Sequence, residues 1–148
     1  MESKQVLSIE QMQHLRELGL DTNKASMCWL KDITKEIAEE KEIDMTIGWS
    51  LDFNNPEFYK YEWMKGIPTF TLQDILELLP YKIVASYLNI GKKSFSGDVL
   101  FYIEYSNLGG YAISYFRSES LLDAAYEMLC WCIENGHLKM KGNENKSI

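Results

Sequence analysis

The chain has 148 residues, 46% of them hydrophobic and 25% charged, which suits one globular domain with a real core. Its formal net charge of −7, from 22 acidic and 15 basic side chains, argues against direct nucleic-acid binding through clustered lysine and arginine. No apolar run approaches the roughly 18–20 residues that cross a bilayer, and the start lacks the basic and apolar segments of a signal peptide. A cytoplasmic protein without membrane attachment is the expectation.

The first element is sharply punctuated. Ser8 with Gln11 forms a capping box, Leu7 and Met12 a hydrophobic staple, and Gly19 a stop, which predicts a helix over 8–18 buried through Ile9, Met12, Leu15 and Leu18. After a polar break, Ala25-Ser-Met-Cys-Trp-Leu-Lys31 reads as a strand. The charged run over 32–44, with Lys35, Glu36, Glu39, Glu40, Lys41 and Glu42, fits a short surface helix or a polar hairpin equally well. Glu36 and Glu40 would share a helix face. With no glycine-turned loop or regular acidic spacing, this run is a solvated face rather than a cation site.

Ile47, Trp49, Leu51 and Phe53 alternate with small and polar residues, Asn54-Asn-Pro56 is turn chemistry, and Tyr59, Tyr61 and Trp63 alternate on the way back. The pattern predicts an aromatic hairpin, 45–53 with 57–64. The second firm helix, over 71–79, has Thr71 as N-cap, Asp74 at the third position, a Phe70–Ile75 staple and Pro80 as terminator. Residues 82–117 read as a three-strand meander with a loop at 91–97 and a turn at 107–110.

The main helix follows over 120–135. Ser120 caps it, Asp123 favours its positive end, and Asn135-Gly136 stops it. Leu121, Ala125, Met128 and Cys132 form its core stripe, widened by Leu122, Leu129 and Ile133. The tail 139–148 is polar and expected to fray. The fold expected from these elements is α+β, an antiparallel sheet of about five or six strands packed with helices near 8–18, 71–79 and 120–135.

Three stretches carry a resemblance. They are Leu7-Ser-Ile-Glu-Gln-Met-Gln-His-Leu-Arg-Glu-Leu-Gly-Leu20 with Ala25-Ser-Met-Cys-Trp-Leu-Lys-Asp32, Pro68-Thr-Phe-Thr-Leu-Gln-Asp-Ile-Leu-Glu-Leu-Leu-Pro80, and Leu121-Leu-Asp-Ala-Ala-Tyr-Glu-Met-Leu-Cys-Trp-Cys-Ile-Glu-Asn-Gly136. As a set they resemble small uncharacterised proteins of phages, prophages and mobile elements of Bacteroides and its relatives. The resemblance covers about half the chain, leaves out 33–64, and brings no activity or site residues with it. It implies a mobile-element accessory protein.

No phosphate-binding glycine loop, zinc-protease pair or nucleophile elbow is present, and no cofactor is expected. Cys28, Cys130 and Cys132 lack a pairing spacing, and the last two sit about 200° apart around a helix, so they read as small buried hydrophobes. His14 and His137 are the only histidines. A nucleophilic pair would need one of them beside Cys130 or Cys132.

The unusual feature is the concentration of aromatics over 49–63. The leading expectation is a non-catalytic protein that binds a host or phage protein through Trp49, Phe53, Tyr59, Tyr61 and Trp63, or through the acidic run from Glu36 to Asp44. The bland alternative places these aromatics in the core. An acidic protein could also mimic nucleic-acid charge toward a DNA-binding protein, and strand edges or aromatics could support a homodimer. The runner-up is a small enzyme or small-ligand binder with a pocket between sheet and main helix, lined by Tyr102, Tyr111, Tyr115, Cys132 and His137.

Overall fold

A computed structural model of the chain describes residues 5–31, 49–55 and 66–138, with Lys31, Trp49 and Ser50 described through their backbone alone. The described residues form an α+β fold of three helices and two antiparallel sheets. Helix α1 (Ile9–Glu17) is followed by β1 (Met27–Lys31), β2 (Trp49–Phe53) and β3 (Gly66–Thr69). Then come α2 (Leu72–Leu78), β4 (Lys82–Ile83), β5 (Ser86–Phe95), β6 (Asp98–Ser106), β7 (Ala112–Ser118) and α3 (Leu121–Glu134). The strands divide between a three-stranded sheet ordered β2-β1-β3 and a four-stranded sheet ordered β4-β5-β6-β7.

The helix ends follow their sequence signals closely. Ser8 and Thr71 both complete capping boxes, with Gln11 and Asp74 reaching back. Ser120 accepts the Asp123 N–H at 3.2 Å. At the far end of α1, Gly19 N–H donates to Arg16 and Leu20 N–H to Leu15; at the far end of α3, Gly136 donates to Ile133 and His137 to Cys132. Both are Schellman pairs, and Gly19 and Gly136 sit at φ 97° and 74°, where a side chain would be strained. The staple residues Leu7, Met12, Phe70 and Ile75 are all buried.

Helix α3 packs on β6 and β7 and against α2, while α1 sits against β3. Leu122, Ala124, Ala125, Met128, Leu129 and Cys132 turn inward to meet Ile103, Tyr105 and the buried side chains of α1 and α2 in one continuous core. The Tyr105 hydroxyl donates to the Pro80 carbonyl at 2.6 Å, so a polar tip inside the core is satisfied. The three-stranded sheet is fastened by the Leu7 carbonyl, which accepts from the Trp29 indole at 3.1 Å and the Thr69 hydroxyl at 2.7 Å.

Two local expectations change, and one strand appears where the sequence assigned none. Gly66–Thr69 forms β3, an edge of the three-stranded sheet among the described residues; Pro68 is tolerated there because an edge strand has one side free of ladder bonds. Residues 91–97 do not form a loop. β5 runs straight through Gly91, Lys92 and Lys93, and the chain reverses only at Ser96-Gly97, whose φ values of 51° and 93° fit a primed two-residue hairpin turn. The meander also gains a fourth, two-residue strand, β4. β2 pairs with β1, Trp49 opposite Lys31 and Phe53 opposite Met27. The return strand expected over 57–64, the charged run 32–44 and the tail 139–148 lie outside the described residues.

Candidate functional site

The register of the four-stranded sheet sorts its side chains onto two faces. Ile103, Tyr105 and Phe116 point toward α3, with Ile103 directly opposite Phe116. The other face carries Tyr87, Asn89, Lys93 and Phe95 from β5, Tyr102 and Glu104 from β6, and Ile113, Tyr115 and Arg117 from β7. Along that outer face the Tyr102 and Tyr115 rings lie nearly parallel, 17° apart with centroids at 6.1 Å. Lys93 Nζ sits 4.9 Å from the centre of the Tyr102 ring, and the Arg117 guanidinium 4.6 Å from that of Phe95. Lys82 covers Tyr87 at 5.5 Å.

Gly91 makes this arrangement fit. It stands opposite Tyr102, and a Cβ at position 91 would collide with the Tyr102 ring. The glycine weakens the strand locally and gains an aromatic cover across the ladder. Ile113 and Tyr115 remain 49% and 40% exposed, and Tyr111 at the end of the same row is 77% exposed. Such a patch, apolar rings rimmed and overlaid by cations, is more than an incidental exposed side chain. On this face Lys82, Lys93 and Arg117 stand against Asp98 and Glu104, a net charge of +1 in a chain whose total is −7.

The residues singled out from the sequence are placed as follows. Phe53 is 75% exposed and Leu51 is exposed beside it, so this end of β2 presents apolar surface. Trp49 is described only as backbone, and Tyr59, Tyr61 and Trp63 lie outside the described residues. The set Tyr102, Tyr111, Tyr115, Cys132 and His137 is not brought together. The three tyrosines belong to the outer row, Cys132 is buried behind Tyr105, and His137 stacks on Trp131 at 5.1 Å. The outer row escaped the sequence reading because 91–97 looked like a loop, which hid the register joining Lys93 to Tyr102.

The thiols are set against reactivity. Burial pushes the Cys132 thiol up to about 11. Cys130 is raised by burial and by Glu134 and Glu127, Cys28 by burial and Asp52. A nucleophilic cysteine needs the opposite environment. Among the described residues no three histidine, cysteine, aspartate or glutamate side chains converge as a metal site, and no helix is long and apolar enough to cross a membrane. Comparison with protein-family models, with curated proteins and with solved structures finds no match to this chain.

Proposed function

We propose that this chain is a non-catalytic binding protein that engages another protein through the outer face of its four-stranded sheet. The observation that carries the reading is the row on the sheet face opposite α3, in which exposed Lys93, Tyr115 and Arg117 adjoin half-buried Tyr102 and Phe95. Tyrosine and arginine dominate binding energy at protein interfaces, since a rigid ring or planar guanidinium gives large contact area at little entropic cost. The local positive charge favours a partner surface bearing carboxylates. Phe53 is a second contact in this reading, the described member of the aromatic group 49–63. The resemblance of three stretches to mobile-element proteins suggests a host or phage protein as the partner, and a cytoplasmic setting.

The test pairs capture with direct binding. Protein retained from host lysate by the wild type would be purified and titrated against wild type, Lys93→Glu/Arg117→Glu, Tyr102→Ala/Tyr115→Ala and Phe53→Ala, each checked for native circular dichroism. Loss of affinity of at least about tenfold in both sheet variants, with binding that weakens in salt, is the expected result. Equal affinity of the folded sheet variants would remove the sheet face, and a loss confined to Phe53→Ala would move the site to β2. Saturable binding of single-stranded oligonucleotide to the Tyr102/Tyr115 row would instead make the protein a nucleic-acid binder.

A further inference from the structure

Helix α3 has a second working face, turned away from its core stripe. Glu127, Cys130, Trp131 and Glu134 recur at i, i+3, i+4 and i+7, so they align along one side of the helix. Tyr126 borders this row, Phe116 closes it from β7, and His14 of α1 closes it from the other side. Together they line an open groove of about 290 Å³.

The walls are aromatic and held in place. Trp131 stacks with Tyr105 at 6.3 Å and with His137 at 5.1 Å, and His14 meets Tyr126 edge-on at 6.4 Å. Two exposed carboxylates, Glu127 and Glu134, stand two helical turns apart along this wall. Among the described lining residues there is no lysine or arginine to neutralise them. The same two carboxylates add to burial in raising both the Cys130 thiol and the Tyr126 hydroxyl, so their charge reaches the groups lining the groove.

We infer that this groove binds an organic cation, an alkylammonium or guanidinium head seated against the Trp131, Tyr126 and Phe116 rings and held by Glu127 and Glu134. Aromatic faces attract a cation through their quadrupole, and the carboxylates supply the counter-charge. An anionic ligand would meet both carboxylates there. A neutral ligand of the same shape would keep the ring contacts and lose both electrostatic components. The site is separate from the sheet face, which lies on the other side of the four-stranded sheet.

The test follows the Trp131 indole and Tyr126 ring signals by NMR in the full-length protein, titrated with three cations. Tetramethylammonium stands for a free quaternary amine; the blocked amino acids N-acetyl-lysine methylamide and N-acetyl-arginine methylamide stand for a side chain of a partner. The control is 3,3-dimethylbutanol, whose tert-butyl group is the uncharged isostere of a trimethylammonium head. Saturable shifts with at least one cation, none with the isostere, and a loss of about tenfold in affinity in Glu127→Gln/Glu134→Gln are expected. A response to tetramethylammonium alone identifies a free amine, and one to the blocked amino acids alone identifies a protein side chain. Equal shifts from the isostere, an unchanged affinity in the folded glutamine variant, or no saturation at tens of millimolar would each overturn the inference.

Discussion

Asp74 shows how much one side chain can fasten. Its carboxylate accepts the Thr71 N–H at 3.0 Å, which caps α2, and also the Ser26 N–H at 3.0 Å and the Ser26 hydroxyl, which tie the approach to β1 onto that helix. Asp74→Ala is therefore expected to cost about 2–3 kcal/mol in urea unfolding, more than an isolated cap. Cys132 sets a pH limit. Above its ordinary 9.0 the unfolded chain releases the thiol proton, while the folded chain holds it up to about 11. The folded state then binds more protons, so stability is full below pH 9 and falls as pH rises from 9 to 11. Urea midpoints at pH 8 and pH 10 should show the drop, and Cys132→Ala should reduce it.

The β4–β5 and β5–β6 connections hold the four-stranded sheet in register by different means. At Ser96-Gly97 a glycine takes one of the two left-handed positions, but at the β4–β5 turn Val84 sits at φ 56°, a costly conformation for a β-branched residue. Val84 is 86% exposed, so no packing is lost on replacing it. Val84→Gly is expected to stabilise by about 0.5–1 kcal/mol, the relieved strain outweighing the added chain entropy, as read from the thermal midpoint. Gly91→Ala should act in the opposite sense and on the site. The added methyl displaces the Tyr102 ring from its seat beneath Lys93, so partner affinity should fall while the core face, led by Ile103 and Tyr105, keeps its far-UV signal.

One core runs from Leu7 and the Met12 of α1 through Phe70, Ile75 and Ile103 to Met128 and Cys132 in α3. The Gln11 side-chain amide reaches the Asp123 carboxylate at 3.1 Å, joining the first and last helices directly. A chain closed in this way should unfold as one unit. Near-UV and far-UV circular dichroism are expected to give coincident urea transitions; two separated transitions would show that the sheets unfold independently.

The sequence by itself determined the α+β class, the three helices and nearly every helix end. Those signals are local: Ser8 with Gln11, Thr71 with Asp74 and the glycines at 19 and 136 satisfy backbone groups within a few residues of themselves. The strand at 27–31 was legible for the same reason, through its composition. What remained hidden depends on partners distant in the chain. That β3 is a strand depends on β1, and that 91–95 is a strand depends on β6, because a ladder is formed between segments and a single segment shows only half of it. The outer aromatic row is a product of that pairing, with Tyr102 from β6 over Gly91 of β5 and beside Tyr115 of β7. The groove draws on α1, β7 and α3, so no one segment could announce it. Local chemistry set the elements, and long-range register and packing decided which side chains face outward together.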